Sequence, residues 1–329
     1  MNEHSRKQAP GAGGLSLHST LIDHAAIQAA VQPWIEMECF QLSRGKRLGQ
    51  LDCLDLGNTR IVREYQHATV QKIGATPGNL CTLSFCSLDR DLRFSEHDAG
   101  YADTVFFLSE NSEFDIHVPA GVQTTYISLD QDEFLSAARV LNPAQWETAP
   151  QGVQPLRSNH KALFSDAVEI WFKTASVAAR QGGAMDADVM RRLLLQTMLQ
   201  VATTTIPDDA GTVPAAARVR ALRICRQACA FAEDRLEADD LPTIVDLCTA
   251  VGVSERTLQY AFRSYVGMSP LVYLRLLRLN RVRTTLIEAS PGEMTVTEAA
   301  MRYGFLHLSR FARDYRHAFD ESPSETLAA

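Results

Sequence analysis

The chain has 329 residues, 46% of them hydrophobic, and a formal net charge of −7. That length sets a prior of about two domains at roughly 100–200 residues each, and the apolar share is ample for true cores, which excludes a disordered or low-complexity protein. The charge is unevenly divided: residues 215–329 hold 15 Arg, no Lys and 14 Asp or Glu, a net of +1, while the rest holds 17 basic and 25 acidic residues, a net of −8.

The first 19 residues, "MNEHSRKQAPGAGGLSLHS", are polar and rich in Gly and Ala. They lack the apolar centre of a signal peptide and read as a disordered tail. No apolar run approaches the ~18–20 residues of a membrane span, so no membrane partner is expected. The seven cysteines (39, 53, 81, 86, 225, 229, 248) are odd in number and contain no CxxC. A reduced, cytoplasmic protein with packed thiols fits that usage. Cys225 and Cys229 stand one helical turn apart, which suits either a packed pair or a redox pair.

Residues about 20–32 read as a helix. From 35 to about 129 the pattern changes to short runs such as "IEMECFQL", "TRIVREY", "CTLSFCSL" and "TVFFLS", punctuated by Gly, Pro, Asn and Asp. Many short strands at close spacing predict a sandwich or barrel. From Gln131 onward the spacing is helical, and two long segments, "NHKALFSDAVEIWFKTASVAAR" and "DADVMRRLLLQTMLQVATTT", predict a helical hairpin. The stretch 206–217, "IPDDAGTVPAAA", has two prolines and no periodicity and reads as a linker. The expected fold is therefore α+β in two domains. Residues 20–205 form a cupin-like β-barrel or sandwich followed by the hairpin. Residues 218–329 form an all-α domain.

The all-α part repeats itself at a lag of about 53 residues. Leu258 matches Phe311, Phe262 matches Tyr315, and Ser269-Pro270 matches Ser322-Pro323; Gly252 and Gly304 are 52 apart, so the second copy has one extra residue in its turn. Each copy reads as a capped short helix (Thr243 with Asp246, Thr295 with Glu298), a Gly turn, and a second helix. This is the grammar of a helix-turn-helix unit. On a helical wheel the second helices put Leu258, Phe262 and Val266, and Leu308, Phe311, Tyr315 and Phe319, on core-facing sides. Their opposite faces carry Arg256, Tyr260 and Arg263 in the first copy and Ser309, Arg313 and Arg316 in the second. Between 256 and 316 there are 10 Arg against 4 acidic residues. One basic face could be mere solvation. Two at equivalent positions favour DNA, because Arg offers guanine a bidentate fork and Gln offers one to adenine. The segment between them, 271–289, predicts a connector helix of about 28 Å at ~1.5 Å per residue, able to set two reading heads about one duplex turn apart. Arg275, Arg278 and Arg281 line it, for phosphates or for helix packing.

The stretch Gly304, Phe305, Ser309, Phe311, Arg313, Tyr315, Arg316, Ser322 and Pro323 resembles the C-terminal signature of AraC/XylS-type transcription regulators. One departure is Asp320, where Gly is commonest; Asp tolerates the left-handed conformation. The resemblance covers about 105 residues with the first copy. It implies two helix-turn-helix units entering successive major grooves, sequence-specific binding to double-stranded DNA, contact with RNA polymerase for activation, and a homodimer. It further implies that Arg256, Gln259 and Tyr260, and Leu308, Ser309 and Arg313, read bases. Phosphate contacts are expected from Ser254, Arg263, Arg278, His307, Arg310 and Arg316. The first 200 residues resemble, more loosely, the sensing half of the ethanolamine-operon regulator subgroup, through Trp34, Gly45-Lys46 and "REY" at 63–65. That likeness implies an ethanolamine and cobalamin effector; regulators of virulence or quorum genes, with an N-terminal domain that binds a protein or only dimerises, are the alternative. No resident cofactor or metal is expected. A cupin-type metal enzyme would need clustered His, whereas His67, His97 and His117 are far apart with no H-x-H. Trp34, Tyr65 and Phe85 are candidate liners of an effector pocket, and equally candidate core; the effector-binding residues stay open.

Overall fold

The computed structural model describes residues 15–87, 92–98, 102–181, 185–205 and 216–328. The N-terminal domain begins with β1 (Ser16–Ile22), α1 (Ala25–Ala30), β2 (Glu36–Gln41), β3 (Gly49–Asp55), β4 (Arg60–Gln66) and β5 (Val70–Ala75). It continues with β6 (Leu80–Cys86), β7 (Arg93–Phe94), β8 (His97–Asp98), β9 (Thr104–Leu108), β10 (Glu113–Val118) and β11 (Gln123–Asp130). Helices α2 (Gln131–Leu141) and α3 (Pro143–Trp146), strand β12 (Val153–Arg157), and the long helices α4 (Lys161–Gln181) and α5 (Ala187–Thr203) complete it. The helical domain contains α6 (Ala216–Glu237), α7 (Ile244–Val251), α8 (Glu255–Tyr265), α9 (Pro270–Glu288), α10 (Val296–Arg302), α11 (Leu308–Phe319) and α12 (Pro323–Leu327). Among the described residues no helix is long and apolar enough to cross a membrane.

The strands pair antiparallel into a seven-stranded sheet, order β1-β3-β4-β11-β6-β9-β12, and a five-stranded sheet, order β2-β5-β10-β7-β8. The result is an open sandwich rather than a closed barrel. Successive residues of the larger sheet serve two cores. Ile61, Val105 and Phe107 face the core shared with α2, α4 and α5, while Val62 faces the other sheet and Phe106 and Leu108 fill the far end of the sandwich. A sheet buried on both sides needs apolar residues at every position, which is why "TVFFL" is a continuous run without alternation. Trp146 is fully buried against Phe107 and Phe134.

Two expectations change here. Residues 16–22, read as the end of a tail and the start of a helix, form the strand β1, and the helix covers only Ala25–Ala30. Alternation in "SLHSTLI" is weak because β1 is an edge strand with one neighbour, β3. Residues 1–14 of the tail lie outside the described residues. So does most of the 206–217 linker; α6 begins at Ala216.

The two domains share a core. Phe40 and Leu42, at the end of β2, are buried among the helical domain's own apolar residues. Between them Gln41 presents its main chain outward from a sheet edge. Asn280 of α9, 7% exposed, meets it as a neighbouring strand would. The Gln41 N–H donates to Asn280 Oδ1 at 3.1 Å and Asn280 Nδ2 donates to the Gln41 carbonyl at 3.0 Å. This satisfies the orphan groups of an edge strand. Beside it, Arg283 reaches Gln41 Oε1 and Glu321, and its guanidinium lies 4.6 Å from the ring centre of Phe319. The Gly45 N–H donates to the Ala318 carbonyl at 3.0 Å, and Arg44 pairs with Asp320 at 2.5 Å. The loop 42–46 therefore closes the end of α11.

Replacing Asn280 by Leu strands a buried N–H and C=O, and should cost about 1–3 kcal/mol in urea denaturation of the full chain. Wild-type stability in that variant would mean the edge of β2 finds other partners.

Candidate nucleic-acid interface

Both helix-turn-helix units are built from the same local chemistry. Thr243 and Asp246 close a capping box at α7, and Thr295 and Glu298 close one at α10. Those hydrogen bonds hold the Asp246 and Glu298 carboxyls below the usual carboxylate range. Each short helix ends in the same way. The N–H of Val253 donates to the Cys248 carbonyl at 3.0 Å, and that of Phe305 to the Ala300 carbonyl at 2.9 Å. Gly252 (φ 68°) and Gly304 (φ 77°) take the left-handed position these bonds require. Asp320 also adopts it, at φ 55°, as expected of its position after α11.

The second helices differ at their starts. Ser254 caps α8, accepting from the Thr257 N–H. In the second copy the extra turn residue is Leu306, 75% exposed. It places His307 at the N-cap of α11, where its side chain makes no cap bond. The first N–H groups of α11 are thus left for an outside acceptor, the arrangement that suits a phosphate.

The wheel places most side chains correctly. Leu258, Phe262 and Val266, and Phe311, Tyr315 and Phe319, are buried. Leu308 is not: it is 37% exposed, because it stands in the first turn of α11, ahead of the packed part of the helix. Arg256, Tyr260, Arg263, Ser309, Arg310, Arg313 and Arg316 are exposed, as are Ser254 and His307. Gln259 is half-buried and donates to Glu255 at 3.0 Å.

Arg256, Arg263, Arg310, Arg313 and Arg316 make no ion pair with any described residue. Elsewhere in the same domain Arg226, Arg235, Arg275, Arg281, Arg283 and Arg302 are paired, and Arg220 and Arg223 of α6 are exposed with no ion pair among the described residues. Arg275 binds Asp314 of α11; its burial and the charges of Arg310 and Arg313 push it below the usual arginine range. Arg278, expected at a phosphate, instead donates to the Pro242 carbonyl at 2.7 Å, tying α9 to the start of α7. Its half-buried guanidinium serves the fold. Sequence reading also passed over the cleft of about 590 Å³ between the two units, lined in part by Val245, Leu271, Arg275, Leu306 and Arg310. Its walls come from three separate segments, so no local periodicity announces it.

In the sandwich, Phe85 lines an interior cavity of about 60 Å³ that also holds the buried Glu64–Lys72 ion pair. Tyr65 is 41% exposed on the outside. Trp34 is not among the liners; its ring carries the Arg60 guanidinium. Cys225 and Cys229 are buried, and burial pushes both thiols up, which favours packing over redox chemistry. Among the described residues no three His, Cys, Asp or Glu are placed to hold a metal ion.

The geometry defines a domain of two helix-turn-helix units joined by a connector helix. Residues 247–329 match the family model described as a helix-turn-helix domain. Over 85 residues the chain is 42% identical to a probable thc operon regulatory protein of Rhodococcus erythropolis, covering 26% of each. Over 75 residues it is 44% identical to the XylDLEGF operon transcriptional activator of Pseudomonas putida, covering 23% of each. Over 162 residues it is 31% identical to the regulatory protein HrpB of Ralstonia nicotianae, covering 46% of this chain and 34% of that one. The chain thus spans about a quarter to a third of the length of these relatives. Its C-terminal part is thus similar to the helix-turn-helix domains of these operon regulators.

Alanine at 252 or 304 would force a β-carbon into the left-handed region, at about 1–2 kcal/mol. At 304 that carbon would also lie 2.7 Å from Leu241 Cδ1, whereas at 252 nothing stands within 4 Å. Gly304→Ala should therefore lower the denaturation midpoint more than Gly252→Ala. Equal losses would show that Leu241 swings aside without cost.

Proposed function

We propose that the protein is a sequence-specific DNA-binding transcription regulator, acting as an activator through RNA polymerase and governed by its N-terminal domain. The observation that carries this reading is the split among the arginines. The helical domain pairs its arginines where they serve the fold and leaves five unpaired on the exposed faces of α8 and α11. Unpaired guanidiniums on two matched faces suit phosphate and base edges. In this reading Arg256, Gln259 and Tyr260 read one half of the site. Ser309 and Arg313 read the other, with Leu308 meeting a thymine methyl. Ser254, Arg263, His307, Arg310 and Arg316 hold the backbone. Relatives whose names describe operon regulation and transcriptional activation support it.

The same reading makes the protein a homodimer through α4 and α5. Leu163, Ile170 and Val177 are exposed at seven-residue spacing on α4, and Val189 and Leu193 on α5. Such a stripe is the seam of a helix-packed interface. The residues behind the ethanolamine likeness have structural duties instead: Gly45 bonds to α11, and Arg63 pairs with Asp52 and Glu169. The sandwich cavity is far below the ~300 Å³ of ordinary small-molecule sites. Ethanolamine and cobalamin are therefore not proposed as effectors.

Arg313→Ala should cost about 1–3 kcal/mol on the specific operator and relax preference at one base position. Arg316→Ala and Arg263→Ala should weaken all duplexes alike, each lowering the salt slope of binding by about one. An unchanged base preference in the first, or an unchanged slope in the others, would remove those roles. Ile170→Glu with Leu193→Glu should turn a dimer into a monomer in sedimentation; a wild-type dimer in that variant would place the interface elsewhere.

A further inference from the structure

A second chamber lies at the seam of the two domains. It is a cleft of about 570 Å³, within the ~300–1,000 Å³ range of small-molecule sites. Four basic side chains line it: Arg93 and His117 from the sandwich, Arg218 and Arg263 from the helical domain. Among the described residues no carboxylate lines it. Its floor includes Tyr265, whose hydroxyl donates to the Ser95 carbonyl at 3.2 Å and so fixes the end of α8 to the sandwich.

Arg93 is the telling member. It is only 8% exposed, and its Cζ sits 3.4 Å from the ring centre of Tyr265. Its Nε and Nη2 are buried with no hydrogen-bond partner among the described residues. A buried guanidinium with open donors is costly, and it is stabilised best by oxygens that accept along its fork. The carboxylate that feels it most strongly, Asp115, makes no ion pair with it. Asp115 instead accepts from the Gln71 amide at 3.0 and 3.1 Å. Full burial also pushes the Asp115 carboxyl up, which weakens it as a counter-charge. On the opposite wall Arg263 is exposed and unpaired.

We propose that this interdomain cleft binds a small organic anion, a carboxylate or phosphate whose oxygens take the fork of Arg93 and whose charge is shared with Arg263 across the seam. The site belongs to both domains, so its occupant ties the end of α8 to the sandwich. It needs no DNA; Arg263 is shared with the proposed duplex contact, whereas Arg93 is not, so the Arg93 variant tests the cleft apart from the reading of α8 and α11.

The test is calorimetric titration of the full-length chain, without DNA and at low ionic strength. The probes are inorganic phosphate, acetate and hexanoate, with choline as the cationic control. Saturable binding is expected for phosphate or for a carboxylate and not for choline; which anion saturates identifies the source of the head group. Arg93→Gln should weaken it by about tenfold or more, as loss of a bidentate charged contact does. Arg263→Gln, at an exposed position where folding is safe, should weaken it several-fold. Arg220→Gln, an exposed arginine of α6 outside the cleft, should leave it unchanged. No saturable heat with any of the three anions overturns the proposal. So does wild-type binding in the Arg263 variant, or an equal loss in the Arg220 variant.

Discussion

The connector helix α9 must satisfy three neighbours at once, and the rest of the helical domain depends on its doing so. Leu274, Leu277, Val282 and Leu286 are buried in the common core. Arg278 holds the start of the first unit through the Pro242 carbonyl, and Arg275 holds the second reading helix through Asp314. Asn280 and Arg283 turn the other way, to the sandwich edge at Gln41. A helix fixed on three sides cannot roll or slide by a residue without breaking contacts to two domains. It therefore sets the relative placement of α8 and α11, the quantity a two-headed reader must control.

Charge follows the same division. Arginines turned inward along α9 have carboxylate or carbonyl partners, and burial makes those partners necessary. Arginines on the outer faces of α8 and α11 have none among the described residues. The chain's overall acidity does not oppose this, because the excess of negative charge lies outside residues 215–329. Electrostatic attraction to a duplex is local to a face within about 10 Å at ordinary salt.

Much of the helical domain was legible because its determinants are short-range. A capping Thr, an acidic residue three places on and a Gly at the turn lie within ten residues of each other, and they recur in both copies. The exposed faces follow from the same spacing. Leu308 was misplaced because a wheel gives a side chain's direction and not whether anything lies over it. Arg278 and Asn280 were beyond reach for another reason. Their partners, Pro242 and Gln41, are 36 and 239 residues away, and no periodicity encodes such pairs. In the sandwich the strands could be seen but β1 could not, since an edge strand with one neighbour has little burial to imprint on its sequence. Arg93 sits on a two-residue strand, too short for any pattern.

Selection of bound duplexes from a randomised pool by the full-length protein, followed by sequencing, tests the central claim most directly. Two reading helices held by α9 predict an enriched motif in two blocks about one duplex turn, roughly 10–10.5 base pairs, apart. Duplexes retained with no shared sequence would contradict it, and would leave the unpaired arginines as a general electrostatic surface.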